Sequence, residues 1–276
     1  MSADIFAGQP TDADLLAELY DLEHDEVAED HAFYREMARR AGGVVLDLGC
    51  GSGRLIPSLH AAGAPKIIGV DGSPALLRRA HARVAAQPDL SRAAADGRIV
   101  LLEGDVRRLP LRDLARHHAG RGVALAIAAG VLPHMDGPEE ALQLLSGVRS
   151  LLARDGRLVL DDLGPAQLPD RDLPLSVDWR RSLNGREVVR RSQLACRRAP
   201  EGLRVAYSTI VDLGRPDGTI ARLPAAYRLW YPYRDALDAL VREAGLAVEL
   251  AYGSHDLDPL DEGSERRIMV VRPAVG

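Results

Sequence analysis

Val44-Val45-Leu46-Asp47-Leu48-Gly49-Cys50-Gly51-Ser52-Gly53-Arg54-Leu55 joins a short, nearly continuous apolar run to three alternating glycines. The run predicts a strand buried on both faces, and Leu55, Ile56 and Leu59 predict a helix ending near Gly63. Glycines at 49, 51 and 53 let the backbone turn tightly and approach a ligand where a Cβ would clash. The N-terminus of the following helix offers free N–H groups and a positive dipole end, which suits a carboxylate. A dinucleotide fingerprint would need glycine at position 54, where Arg54 stands, and this disfavours a nucleotide-dependent oxidoreductase.

Outward from this stretch the same alternation repeats. Strands are predicted at Lys66 to Asp71, Arg98 to Glu103, Val123 to Ala129 and Gly156 to Asp161, with helices from Ser73-Pro74 to Ala85 and from Pro138 to Ala153. Strands alternating with helices predict an α/β fold, a doubly wound, mostly parallel sheet. Upstream, Thr11 to Arg40 reads as helical, with Thr11 as a cap and Leu15, Leu16, Leu19 and Tyr20 as an apolar face. Downstream the alternation stops. Residues 165 to 178 read as a loop, and β-like stretches follow at Glu187 to Arg197, Leu203 to Asp212 and Ile220 to Trp230, separated by Pro200-Glu201-Gly202 and Pro216-Asp217-Gly218. These predict a small antiparallel sheet inserted in the α/β domain. A helix from Tyr233 to Ala244 and strands at Ala247 to Tyr252 and Arg267 to Val271 close the chain.

The 276 residues carry a net charge of -5, and Lys66 is the only lysine. That balance argues against a nucleic-acid partner, and Arg180-Arg181, Arg190-Arg191 and Arg197-Arg198 read as solvated strand faces. No run has the length of a membrane span, and Met1 to Ile5 lacks the features of a signal peptide, so a cytoplasmic location is expected. Cys50 and Cys196 are expected to be reduced thiols.

The glycine segment resembles motif I of class I S-adenosylmethionine (SAM)-dependent methyltransferases, an acidic residue followed by glycine-x-glycine-x-glycine after the first strand. Further landmarks match in order. Asp71 ends the second strand, where that family binds the ribose hydroxyls. Asp105 follows the third, where it meets the adenine amino group, and Ala129-Gly130 end the fourth, beside the methionine part. The resemblance implies a Rossmann-like, seven-stranded sheet and S-adenosylmethionine as cofactor, with S-adenosylhomocysteine as product. Its cofactor-binding candidates are Tyr20, Asp47, Gly49, Cys50, Gly51, Gly53, Arg54, Asp71, Gly72, Asp105, Val106, Ala129 and Gly130, with Cys50 read as a passive loop residue.

A looser resemblance narrows the class. Ala17-Glu18-Leu19-Tyr20-Asp21, and Gly130-Val131-Leu132-Pro133-His134-Met135 after the fourth strand, are similar to small-molecule methyltransferases. These include the amino-sugar N-methyltransferases of antibiotic pathways and glycine or sarcosine methyltransferases. In that group an N-terminal helix covers the cofactor, its tyrosine faces the reacting methyl, and the histidine lines the acceptor pocket. Tyr20 and His134 are therefore the catalytic candidates, with His134 as a general base suited by its near-neutral titration. Tyr34, Tyr227 and Trp230 are candidates for acceptor binding, the last two because Tyr227, Trp230, Tyr231 and Tyr233 crowd into seven positions. No metal is expected, because Ala128-Ala129-Gly130 gives no acid after the fourth strand to join Asp161-Asp162.

The expected organisation is a helical lid over 1–40, the cofactor domain over 41–164 and 231–276, and an acceptor-side cover over 165–230. The expected reaction is methyl transfer to a nitrogen or oxygen of a small molecule, with a place in secondary metabolism implied by the antibiotic-pathway resemblance. A non-methylating SAM-binding protein is the alternative of another class, and a homodimer is left open.

Overall fold

The computed structural model describes residues 10–109, 111–118, 122–215 and 217–274. Helices α1 (Pro10–His24) and α2 (Glu29–Ala41) precede β1 (Val45–Leu48), α3 (Ile56–Ala61), β2 (Ile67–Asp71), α4 (Pro74–Ala85) and α5 (Pro88–Ala95). Then come β3 (Ile99–Glu103), α6 (Leu111–His118), β4 (Val123–Ala129), α7 (Pro138–Leu151) and β5 (Leu152–Leu163). Strands β6 (Leu173–Leu183), β7 (Arg186–Ala199), β8 (Gly202–Gly214) and β9 (Ile220–Pro232) follow, and α8 (Arg234–Glu243), β10 (Leu246–Tyr252) and β11 (Arg266–Pro273) end the chain.

The main sheet has seven strands in the order β10-β11-β5-β4-β1-β2-β3, all parallel except β11. Period-two alternation gives the central strands β1, β2 and β4 two buried faces, while the edge strand β10 is largely exposed. Leu46, Leu48, Ala126, Leu158 and Leu160 pack with α7 and α8 on one side, while Val45, Leu125, Ile127 and Val159 pack with α2, α3 and α5 on the other. The chain moves outward from β1 in both directions, to β2 and to β4. That switch opens a crevice at the carboxyl ends of the strands, where ligands of such sheets bind.

The inserted sheet has four antiparallel strands, one more than the sequence predicts. Strand β6 lies on residues read as loop. Pro174 and the aspartates around it hide the alternation of Leu173, Leu175, Val177 and Trp179, and an edge strand tolerates that proline. Thr11 lies inside α1 rather than capping it, and residues 1–9 fall outside those described. Helix α2 packs into the core through Phe33, Tyr34 and Ala38, while its first turn, Glu29 and Asp30, lines the crevice beside Tyr20 and His24 of α1.

Helix α1 has two apolar faces. Leu15, Leu16, Leu19 and Leu22 meet Val188, Val211, Leu213 and Leu223 of the inserted sheet, while Ala13, Ala17 and Tyr20 meet Ala75 and Leu76 of α4. Arginines read as solvated clamp this bridge: Arg190 pairs with Glu23 at 2.6 Å and Arg181 with Glu26 at 3.1 Å. Arg83 holds the other side through Asp25 at 2.7 Å.

Candidate active site

A cavity of about 1830 Å³ occupies the crevice. Its walls come from the glycine loop after β1, the ends of β2 to β5, α1, β8 and β9, and the loop between β10 and β11. Ligand pockets usually measure about 300–1,000 Å³, so the space exceeds what one small ligand fills.

The glycine loop owes its shape to its sequence. The N–H groups of Gly49 and Cys50 both donate to the Val70 carbonyl, at 2.8 and 3.0 Å, which folds the loop back over β2. Gly51 sits at φ +55°, and a Cβ there would lie 3.2 Å from the Tyr20 hydroxyl, so glycine lets α1 close onto the loop. Asp71 at the end of β2 accepts the Gly51 N–H at 2.8 Å and the Ser73 N–H at 2.8 Å, tying the two strand ends together. Burial pushes its carboxyl up, against the pull of those two N–H donors.

Of the sequence candidates, Tyr20, Gly49, Gly51, Arg54, Asp71, Gly72, Asp105, Val106, Ala129, Gly130, His134 and Tyr227 line the cavity. Asp47, Cys50, Gly53, Tyr34 and Trp230 do not. Asp47 lies behind the loop, where burial pushes its carboxyl up to about 7. Cys50 is buried against Gly69, and burial lifts its thiol well above the usual range, which fits a passive role. Gly53 packs on Ile56 and Ala80. Tyr34 is fully buried and donates its hydroxyl to Asp161 at 2.5 Å. Arg54 is spent on a two-pronged pair with Asp30, at 2.7 and 2.5 Å, which bolts the start of α2 to the loop.

Asp105 receives the backbone N–H of Arg107 at 3.0 Å and its guanidinium at 2.8 Å. Burial lifts the Asp105 carboxyl, but the Arg107 hydrogen bonds outweigh it and hold the group below its ordinary value. Burial, then the charge of Asp71, pushes the Tyr20 phenol up to about 12, so it is a neutral hydroxyl at physiological pH and cannot serve as a phenolate base. Its ring stacks on His24 with centroids 3.9 Å apart.

His134 ends a 3-10 turn, Leu132–His134, beyond β4. Its ring opens onto the cavity and meets Tyr227 edge-on at 6.5 Å. Enclosure by the walls, then the charge of Arg107, keeps its pKa below the ordinary 6.5, so the imidazole is neutral at pH 7.

The aromatic cluster separates by register. Tyr227 pairs with Tyr207 across the sheet and lines the cavity, whereas Trp230 is 1% exposed and buried in the main core beside Gly202. We therefore expect Trp230→Phe to destabilise the fold by about 1–2 kcal/mol in urea unfolding while leaving acceptor KM unchanged. A raised KM at full stability would put Trp230 back at the acceptor. Sequence reading also missed Asp161, His255 and Arg266, which share the cavity wall. The signal for His255 was its place just after β10, at the carboxyl edge of the sheet.

Residues 45–156 match the family model described as "Methyltransferase domain". No curated protein matches the chain. Among solved structures it is similar to the CcbJ methyltransferase of Streptomyces caelestis, with 23% identity, TM-score 0.74, and 94% of this chain and 96% of that one covered. It is also similar to the sugar N-methyltransferase KedS8 of Streptoalloteichus sp. ATCC 53650, at 18% identity and TM-score 0.69, covering 94% of this chain and 92% of that one. SAM-bound CalS10 of Micromonospora echinaspora, described as an amino pentose methyltransferase of calicheamicin biosynthesis, matches at 21% identity and TM-score 0.63, with 92% and 95% covered. No described helix is long and apolar enough to cross a membrane.

Proposed function

We propose that this chain, an S-adenosylmethionine-dependent methyltransferase, transfers its methyl group to the nitrogen of a small amine. The carrying observation is the charge of the cavity wall. Of its four arginines, Arg54, Arg107 and Arg266 are neutralised by Asp30, Asp105 and Asp161, and Arg228 alone has no ion-pair partner among the described residues. The carboxylates of Glu29, Glu103, Asp136, Asp256, Asp258 and Glu265 line the same space with no ion-pair partner among the described residues. These carboxylates outnumber Arg228, and a cleft whose wall carries a surplus of one sign of charge concentrates ligands of the other. Part of that field serves the cationic cofactor, and the remaining volume favours a second, cationic occupant. The descriptions of KedS8 and CalS10 as N-methylating and amino-pentose enzymes support the same choice over oxygen.

The residues present fit the cofactor. The glycine cradle leaves backbone close to the cavity, Asp71 stands at the end of β2 to accept hydroxyl donors, and Asp105 lies beyond β3. When bound, S-adenosylmethionine supplies a sulfonium methyl already activated for transfer. The protein's share is positioning, worth about 7–11 kcal/mol of barrier at best, and removal of a proton. In this reading the neutral His134 takes the proton of the acceptor ammonium and so exposes the nitrogen lone pair. Tyr227 walls the acceptor, and α1 with β8 and β9 keeps water out.

Incubation with methyl-labelled SAM and a panel of small amines, phenols and alcohols tests the proposal. The label is expected on amines, with S-adenosylhomocysteine released in step. Label on phenols or alcohols alone would overturn the amine reading.

A further inference from the structure

Beyond the glycine loop and His134 the cavity continues to a wall that the steps above do not use. It is built from the end of β5 and the loop between β10 and β11, where Asp161 and His255 meet. Asp161 is 1% exposed, yet each carboxylate oxygen is engaged. Oδ2 accepts the Tyr34 hydroxyl at 2.5 Å and His255 Nε2 at 2.8 Å; Oδ1 accepts Arg266 Nε at 2.9 Å and a second N–H of the same guanidinium.

Burial lifts the Asp161 carboxyl, but His255, Arg266 and Tyr34 outweigh it and keep the group ionised. An ionised carboxylate only accepts hydrogen bonds. His255 Nε2 must therefore carry the proton, and a neutral imidazole so held presents Nδ1 as a lone pair, the way a buried carboxylate sets a histidine tautomer. Phe33 and Tyr34 fix the ring from the side, with centroids 5.7 and 6.1 Å away. The ring lines the cavity, and Nδ1 has no partner among the described residues.

We propose that His255 binds the methyl acceptor: its Nδ1 accepts a hydrogen bond from a second polar group of that molecule, so that the preferred acceptor is an amino alcohol rather than a plain amine. This rests on the amine reading above. His255 is thus an acceptor-binding residue, and Asp161 with Tyr34 and Arg266 positions it.

The test compares trans-2-aminocyclohexanol with cyclohexylamine at saturating SAM, in the parent enzyme, His255→Gln and His255→Asn. Glutamine can reach the Nε2 position and keep Asp161 engaged, but it offers nothing at Nδ1. Asparagine places an amide at Nδ1 and releases Asp161. In the parent, KM for the amino alcohol is expected about tenfold below that for cyclohexylamine, the effect of one neutral hydrogen bond. His255→Gln should erase that gap with kcat within about twofold, and His255→Asn should keep most of it. A gap that survives in His255→Gln, or a loss carried by kcat instead of KM, overturns the assignment. So does a long-range ¹H–¹⁵N spectrum of the full chain with S-adenosylhomocysteine that places the His255 proton on Nδ1. Methylation of both amines with equal KM in the parent removes this inference alone, whereas methylation of neither removes the amine reading with it.

Discussion

Asp71→Ala is expected to weaken S-adenosylmethionine binding by about 10- to 150-fold, the equivalent of losing a hydrogen bond to a charged group at about 1.5–3 kcal/mol. Two effects combine. The carboxylate at the end of β2 is lost as an acceptor for hydroxyl donors in the cavity. The N–H groups of Gly51 and Ser73, which it accepts at 2.8 Å each, are also left without their partner, and the glycine loop loses the tie that holds it over β2. Asp71→Asn separates the two, because its amide oxygen can still accept one N–H, and its loss should be smaller. Titration calorimetry with S-adenosylhomocysteine gives both numbers. NAD should bind neither variant nor the parent. Unchanged affinity in Asp71→Ala would remove the residue from the cofactor site.

The parts of this site that are legible in sequence are local. Glycines 49, 51 and 53 and the acids at 71 and 105 are read from their spacing to neighbouring strands, and the structure brings Gly49, Gly51, Asp71 and Asp105 to one cavity. What stays hidden is pairing across long separations. Arg54 lies in the motif, but its partner Asp30 sits in another helix, and nothing in either segment announces the pair. Asp161 invited a metal reading beside Asp162, yet it is engaged by Tyr34, His255 and Arg266 from three different elements. Tyr227 and Trp230 share one aromatic cluster, but they differ in strand parity, so one faces the cavity and the other the core. Residues 173–179 alternate cleanly, but prolines and aspartates dominated the window around them.

Bridging by α1 has its own consequence for function. The helix that carries Tyr20 is packed on α4 at one face and on the inserted sheet at the other, so it joins the two parts of the fold. Arg190, which pairs with Glu23 and Asp178 at 2.6 Å each and reaches the Tyr207 hydroxyl, ties α1 to the strand face that carries Tyr227.

His134→Ala should leave cofactor affinity nearly unchanged and lower kcat by about 10²–10⁴-fold, the usual contribution of a positioned base. The reason is its state as much as its place. Enclosure by the cavity and the charge of Arg107 depress its pKa, so the ring is a free base across the physiological range and is protonated only in acid. The sign follows directly. Activity of the parent should rise with pH through a pKa below the ordinary 6.5 and then level off, and that limb should be missing in His134→Ala. Replacing Arg107 by leucine removes the neighbouring charge and should move the limb upward, toward 6.5, because protonated His134 is then less penalised. An acceptor amine titrating in the same window would give a limb that persists in His134→Ala and ignores Arg107. A His134→Ala enzyme with full kcat and the parent profile would leave the ring as a wall of the cavity beside Tyr227, with the proton lost to water instead.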